Sequence, residues 1–360
     1  MEKKKSKKKI VLIVMLCVLA LLVGAWWAFS AGMYNDNVNK RFESYEPLMF
    51  HAEDFEGLQS TKYEFPSDKG QMLTGYLYSS GSNQHGIIVI AHGYGGGGHN
   101  SYMDCANYFA QHGYYVFAYD ATGNDESEGD GVGGFPQGVV DLDYAISFVE
   151  ESGHFPNLPI GLFGHSWGGY SVCSVLTFHP EVKAVIACSG CNRSADLFES
   201  GGKAEAGDVI YTMMPFVKIH EWMNYGKYAA NTAMDGFEAS EAAVMVVHSS
   251  DDRVVPIGYG YELYYDRYKD DPRFTFVLFE DKGHDDLFID RDNTYKAEFN
   301  SGFDQWLKTL AYDYEAEENK ERFIADKAGY INTHLDRAKW SNRLDVELFE
   351  RFLSFYDENM

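Results

Sequence analysis

The sequence predicts an α/β fold: a mostly parallel sheet covered by helices on both faces, with an inserted cap and an N-terminal transmembrane helix. Three observations predict it. Short apolar runs alternate with helical patterns over most of the 360 residues, and continuous apolar strands in such alternation belong to parallel sheets buried on both faces. One connection, from "VKAVIACS" to "AAVMVVHS", is about fifty residues long, which in a compact domain marks an inserted functional subdomain. Finally, the twenty residues from Ile10 to Phe29 carry no charge.

From the start of the chain, residues 1–9 hold six Lys and one Glu, a basic segment expected on the cytoplasmic side. Residues 10–29 then span about 30 Å as a helix, the thickness of a bilayer core. Trp26 and Trp27 suit the membrane interface. The expectation is a single-pass anchor in the cell membrane with the rest of the chain extracytoplasmic. Secretion after signal cleavage is the alternative, since Ala28-Phe29-Ser30 has the small-x-small pattern. The apolar stretch exceeds the usual signal core of about 7–15 residues, which favours the anchor.

Residues 30–58 are polar and weakly periodic, as in a juxtamembrane linker. The main domain is expected over 59–311. It opens with "STKYEF" and "QMLTGYLY", two alternating runs joined by Ser67-Asp68-Lys69-Gly70, the pattern of an antiparallel hairpin. Strand candidates follow at 86–92, 114–120, 159–165, 182–189, 242–249 and 273–280. Helical patterns lie near 101–112, 137–152, 167–178, 257–269 and 292–311. The cap is expected at about 190–241, where Met213, Met214, Phe216 and Trp222 are candidates to line an apolar pocket. Those residues could equally just pack the insertion onto the body. The tail, 312–360, reads as a helical extension whose Leu344, Leu348, Phe352 and Phe355 fall near one helical face.

Composition excludes several function classes. Residues 10–360 carry 24 basic and 53 acidic residues, a formal net charge of −29, so nucleic acid is not an expected partner. Five cysteines do not make a disulfide framework. Cys188-Ser-Gly-Cys191 has redox spacing but follows a strand rather than opening a helix, which suggests inert thiols or a local disulfide. Twelve histidines are present without H-E-x-x-H or paired Cys/His spacing, so no metal is expected. The glycine run "AHGYGGGGHN" offers Gly93-x-Gly95-x-x-Gly98 with Asp120 22 residues further on, a dinucleotide-like spacing. A Walker loop is excluded because no Gly-Lys-Ser/Thr follows Gly98. A dinucleotide would also be required outside the membrane, and no cofactor is expected.

The chemistry is concentrated in "IGLFGHSWGGYS". Gly164-His165-Ser166-Trp167-Gly168 is a G-x-S-x-G between a strand and a helix, where the serine sits on a sharp turn and its neighbours must be small. Gly164 and Gly168 supply that clearance. A serine hydroxyl needs a base, and the base needs an orienting acid. The chain order on such folds is Ser, acid, His. "VVHSSDDRVVP" offers Asp251 and Asp252, and "FEDKGHDDLF" offers His284 at a strand end after a flexible glycine. The backbone N–H of Trp167, next to the nucleophile, is one expected oxyanion donor.

Between about 60 and 310 the chain resembles the α/β-hydrolase superfamily, in particular its serine aminopeptidase, monoacylglycerol lipase and carboxylesterase branch. The matching motifs, in the family's order, are "AHGYGG", "YDATGNDESEG", "GHSWGG", "DRVVP" and "KGHDD". The resemblance implies an α/β-hydrolase fold and a Ser-His-Asp mechanism on a small-molecule or lipid ester, or on a peptide as in aminopeptidases. It selects Asp252 as the acid, because the acid commonly precedes x-V-V-P, and leaves Asp251 as a turn residue. It implies the N–H of Tyr94 as the second oxyanion donor. The chain departs from the family at Asp120-Ala121-Thr122-Gly123, where an Arg is common, so that loop need not make the usual contacts. Non-catalytic binding proteins on this fold usually lack one of the three residues, and here all three are present.

Overall fold

The computed structural model describes residues 2–360, with side chains from Lys8 onward. In chain order the first elements are helix α1 (Glu2–Val38), strands β1 (Gln59–Pro66), β2 (Met72–Ser79) and β3 (Gly86–Ala91), and α2 (Met103–Gln111). They are followed by β4 (Tyr114–Tyr119), α3 (Gln137–Glu151), β5 (Ile160–His165), α4 (Trp167–Ser174) and β6 (Ala184–Cys188). The cap consists of α5 (Ser194–Ala206), α6 (Ile210–Tyr225), α7 (Lys227–Ala230) and α8 (Ala233–Ala239). The remainder comprises β7 (Ala243–Ser249), α9 (Tyr261–Tyr268), β8 (Phe274–Phe279), α10 (Tyr295–Leu307), α11 (Lys320–His334), α12 (Arg337–Trp340) and α13 (Val346–Asn359).

The eight strands form one sheet in the order β1-β2-β4-β3-β5-β6-β7-β8. β1 and β2 pair antiparallel, as do β2 and β4, and every pairing from β4 through β3 to β8 is parallel. β3, β5 and β6 are buried at every position. Their unbroken apolar sequences fit this, since a central parallel strand meets helices on both faces. All parallel strands end on the same edge, and β5, which precedes Ser166, lies near the middle of it.

Helix α13 occupies the second face. Leu348, Phe349, Phe352, Phe355 and Tyr356 are all buried, and each such side chain contributes about 1.5–3 kcal/mol when fully buried. Tyr356 donates to the Leu162 carbonyl of β5 at 2.7 Å. Gly86 and Gly161 make this approach possible: a Cβ there would fall 2.8 and 2.6 Å from the Met360 side chain. Leu348, Phe352 and Phe355 are thus core residues of the sheet, whereas Leu344 is only half-buried.

The segment expected as a linker is folded. α1 continues past the apolar stretch to Val38, and Ser30, Tyr34 and Val38, spaced four apart, are buried. Polarity concealed this stripe, because only one residue per turn faces the protein. α1 lies against α6, with Trp26 Nε1 donating to the Thr212 carbonyl at 3.1 Å and His220 Nε2 3.0 Å from Asn35 Oδ1. These two contacts show the helices running parallel. Beyond α1, Phe42 bridges to Asn124, and Phe50 and Phe55 are buried.

Candidate active site

Ser166 sits between β5 and α4 with φ 57° and ψ −115°, a conformation that costs a non-glycine residue about 1–3 kcal/mol. The surroundings enforce it. Ser166 N–H donates to the Cys188 carbonyl at 2.8 Å, and its carbonyl accepts from Tyr170 N–H at 3.0 Å. A Cβ at Gly164 would lie 2.3 Å from the Gly168 carbonyl oxygen, and one at Gly168 2.0 Å from that of Ala91. Both glycines are therefore sterically required.

Asp252 follows β7 and His284 follows β8, so both come to the same sheet edge as Ser166. His284 Nδ1 is 2.7 Å from Asp252 Oδ2. Nδ1 must carry the proton to face a carboxylate, which leaves Nε2 with its lone pair. Asp252 Oδ1 accepts the N–H groups of Val254 and Val255, each at 2.9 Å. Burial alone would raise the Asp252 pKa, but hydrogen bonds from His248 and His284 outweigh it and hold the carboxyl well below its usual range. Asp251 instead accepts from Ser249 Oγ at 2.6 Å and from Gly283 N–H at 2.9 Å, bracing the turn before His284 without touching the imidazole. Ser166 and His284 line one cavity. No hydrogen bond joins them among the described residues; such contacts commonly tighten only with substrate bound.

On the other side of Ser166, Trp167 is the first residue of α4, where N–H groups lack intrahelical partners. The Tyr94 N–H likewise has no protein acceptor among the described residues. Burial pushes the Tyr94 phenol up to about 12, so it stays protonated. His92 is locked by Nδ1–H to the Gly93 carbonyl at 2.7 Å and by Ala121 N–H to Nε2 at 2.9 Å. The later glycines give clearance to protein. A Cβ at Gly97 would strike Ser44, and one at Gly98 would lie 1.8 Å from Asp120 Oδ1. Asp120 itself accepts from His99 N–H at 2.8 Å and His99 Nδ1 at 2.7 Å, so it is a buried loop anchor and not a ribose ligand. Where an Arg is common in the family's 120–125 loop, Arg41 arrives from the segment after α1. Its guanidinium donates to the carbonyls of Asp125, Ser127 and Gly129.

The cavity has a volume of 840 Å³ and combines Ser166, His284 and Tyr94 with apolar walls from Phe135, Phe198, Ile210, Met213 and Phe288. Met33 and Val38 of α1 complete it. Of the four cap residues expected to line a pocket, Met213 does so. Met214 is buried elsewhere, Phe216 is half-buried off the cavity, and Trp222 is 60% exposed. Met213, Val217 and Glu221, four apart, form the inward stripe of α6, and Trp222 is turned about a quarter of the way round from it. Cys188 and Cys191 are free and buried.

Several residues of the site were not anticipated. Gly93 N–H donates to Tyr102 Oη at 3.1 Å, Tyr102 O–H to His165 Nδ1 at 2.8 Å, and His165 Nε2–H to the His284 carbonyl at 3.0 Å. This chain ties the glycine loop, the elbow and the His284 loop together. Burial holds the His165 pKa down to about 3, aided by His284, so the ring stays neutral as the network requires. His248 Nε2 donates to the Val255 carbonyl at 2.8 Å and lies 3.3 Å from Asp252 Oδ2. Of these, only His165 had a local signal, as the x of G-x-S-x-G. Glu150, His179 and Glu181 have metal-ligand spacing, but they lie at the opposite edge of the sheet, where His179 is hydrogen-bonded to Asp143 and Glu181.

Residues 82–225 match the family model described as serine aminopeptidase, S33. The match includes Tyr94, Ser166 and Trp167 and ends before Asp252 and His284. Among solved structures, an esterase of Pyrococcus furiosus aligns with a TM-score of 0.54 at 17% identity, over 76% of this chain and 98% of that one. Acetyl xylan esterase 1 of a Thermoanaerobacterium species gives a TM-score of 0.49 at 14% identity, over 76% and 91%. An acylaminoacyl peptidase of Pyrococcus horikoshii gives 0.48 at 17%, over 76% and 45%. No curated protein sequence matches significantly. Sheet order, the Ser166 elbow and the inserted cap define an α/β-hydrolase fold.

Proposed function

We propose that this protein is a membrane-anchored serine hydrolase that cleaves carboxylic esters of acyl or lipid type through an acyl-enzyme. One observation carries the reading: the strained Ser166 and His284 open on the same cavity while Asp252 engages the far nitrogen of the imidazole. In this reading His284 Nε2 takes the Ser166 Oγ proton as Oγ attacks the ester carbonyl. The tetrahedral oxygen is stabilised by the N–H groups of Tyr94 and Trp167. His284 then protonates the leaving alkoxide, and the same base activates water to release the acid. Asp252 stabilises the transient imidazolium and fixes the tautomer.

The choice of ester is supported by the apolar cavity walls and by α1, whose Ile10–Phe29 stretch has the length and composition of a membrane span while its later residues line the cavity. With the lysines on the cytoplasmic side, the catalytic domain is extracytoplasmic. The second reading, an aminopeptidase or other peptidase, is favoured by the matched family's description and by the Glu205 and Asp285 carboxylates on the cavity wall, which suit an amino group. A panel of acyl esters of increasing chain length and aminoacyl amides on the full-length protein decides between them. Faster turnover of medium and long acyl esters is expected; preference for aminoacyl amides would overturn the ester assignment.

A further inference from the structure

We propose that the last turns of α1, Ser30 to Val38, are the abutment on which both oxyanion donors are positioned, making the membrane helix a working part of the active site. The proposal rests on the hydrolase reading above.

Two routes lead from α1 to the donors. The first is direct. Tyr94 Oη lies 3.0 and 2.9 Å from the carbonyl oxygens of Asn37 and Val38, at the helix end where carbonyls have no intrahelical donor. The Tyr94 ring is wedged among Phe42, Phe135 and Trp167, with centroids 4.8, 5.0 and 6.0 Å away. The Gly93–Tyr94 peptide is therefore fixed from both ends, by Tyr102 Oη on the Gly93 N–H and by α1 on the Tyr94 side chain.

The second route reaches Trp167. Its indole Nε1–H donates to the Phe135 carbonyl at 2.7 Å, and Phe135 N–H donates to Tyr34 Oη at 2.9 Å. Tyr34 O–H donates to one oxygen of Glu221 at 2.5 Å, and the other accepts from Ser194 at 2.7 Å. The Phe135 segment is also tied to the two residues that directly follow α1: Gly133 N–H donates to Asn39 Oδ1 at 2.7 Å and Val132 N–H to the Lys40 carbonyl at 3.1 Å. Oxyanion donors act only when aimed at the developing charge, and a misplacement near 1 Å costs roughly a hundredfold. Removing a tether should therefore appear in the transition state before it appears in substrate binding.

The test uses three variants of the full-length protein, each lacking one phenolic oxygen. Tyr94→Phe and Tyr34→Phe cut the two routes while leaving both backbone N–H groups intact. Tyr356→Phe removes a buried tyrosine–carbonyl bond on the opposite face of the sheet and serves as the control for general destabilisation. With a short soluble ester, Tyr94→Phe and Tyr34→Phe should each lower kcat by about tenfold, with KM within about twofold of wild type. Tyr356→Phe should lower the thermal midpoint while kcat per folded molecule is unchanged. Where a variant folds incompletely, the rate of fluorophosphonate labelling of its folded fraction replaces kcat. Wild-type rates in both α1-route variants, or losses that track the unfolded fraction, would overturn the proposal. A wild-type protein that neither labels at Ser166 nor turns over esters or amides would remove the hydrolase reading, and this proposal with it.

Discussion

From Ile10 to Phe29, α1 presents apolar side chains in every direction with almost no protein partner; Ile10 is 57% and Leu22 64% exposed. From Ser30 to Val38 the same uninterrupted helix is mostly polar, yet it buries one residue per turn and lines the cavity. A helix apolar all round suits lipid, whereas a single buried stripe suits a protein surface. The half of α1 that looks less hydrophobic is the half with more protein contacts. Average polarity therefore says little about which segment belongs to the folded domain; the period of the few apolar and aromatic residues says more.

This contrast can be broken most directly by placing a charge on the packed half. Val38→Asp puts an unpaired carboxylate at a 2% exposed position and should cost about 4 kcal/mol or more, read as a large fall in the thermal midpoint of the domain together with lost turnover. Leu19→Ala, on the apolar half that is exposed on all sides, should leave both unchanged. Equal effects at the two sites would contradict the division.

The junction between α1 and the cap should also be pH-dependent. Burial raises the Glu221 carboxyl to about 7, despite lowering hydrogen bonds from Tyr34 and Ser194; Asp196 adds to the rise and Lys218 opposes it. Between the unfolded value near 4.5 and that raised value, the native state keeps a proton the unfolded chain has released. Stability must therefore fall as pH rises through this window, by on the order of 3 kcal/mol at its upper end, with no contribution below it. Glu221→Gln removes this slope. Its thermal midpoint should gain on wild type from pH 4.5 to pH 8; a constant difference would show that Glu221 is ionised throughout.

A smaller effect separates the two sides of α6. Met213→Ala should slow long-chain esters by about tenfold, since a lost buried contact of this size is worth roughly 1–3 kcal/mol in substrate discrimination. Trp222→Ala, on the outer side, should stay within about twofold of wild type on all substrates. A loss at Trp222 matching that at Met213 would place the substrate on the outer surface of α6.

Ser166 and its glycines were legible because an elbow imposes small residues at fixed spacing. The strands were legible to within a residue or two because burial on both faces leaves continuous apolar runs. His284 and the Asp251-Asp252 pair followed from chain order on those strands. Other features depend on partners far apart in sequence. Tyr34 meets Glu221 187 positions away, and Tyr102 meets His165 63 positions away; neither leaves a local pattern. Trp222 was misplaced for the same reason, since α6 carries apolar residues on several sides and the position of α1 decides which side is inward. The 30–58 segment concealed its packing behind polar residues such as Arg41, whose role is to satisfy carbonyls of the 125–129 loop.

The central claim is that Ser166 is the nucleophile of a hydrolase. Fluorophosphonate labelling of the full-length protein, followed by peptide mapping and ester turnover in wild type and Ser166→Ala, tests it most directly. A single adduct on Ser166 is predicted, with labelling abolished and turnover reduced roughly 10⁴-fold or more in the variant at an unchanged thermal midpoint. An adduct on another residue, or ester hydrolysis surviving in Ser166→Ala, would contradict it.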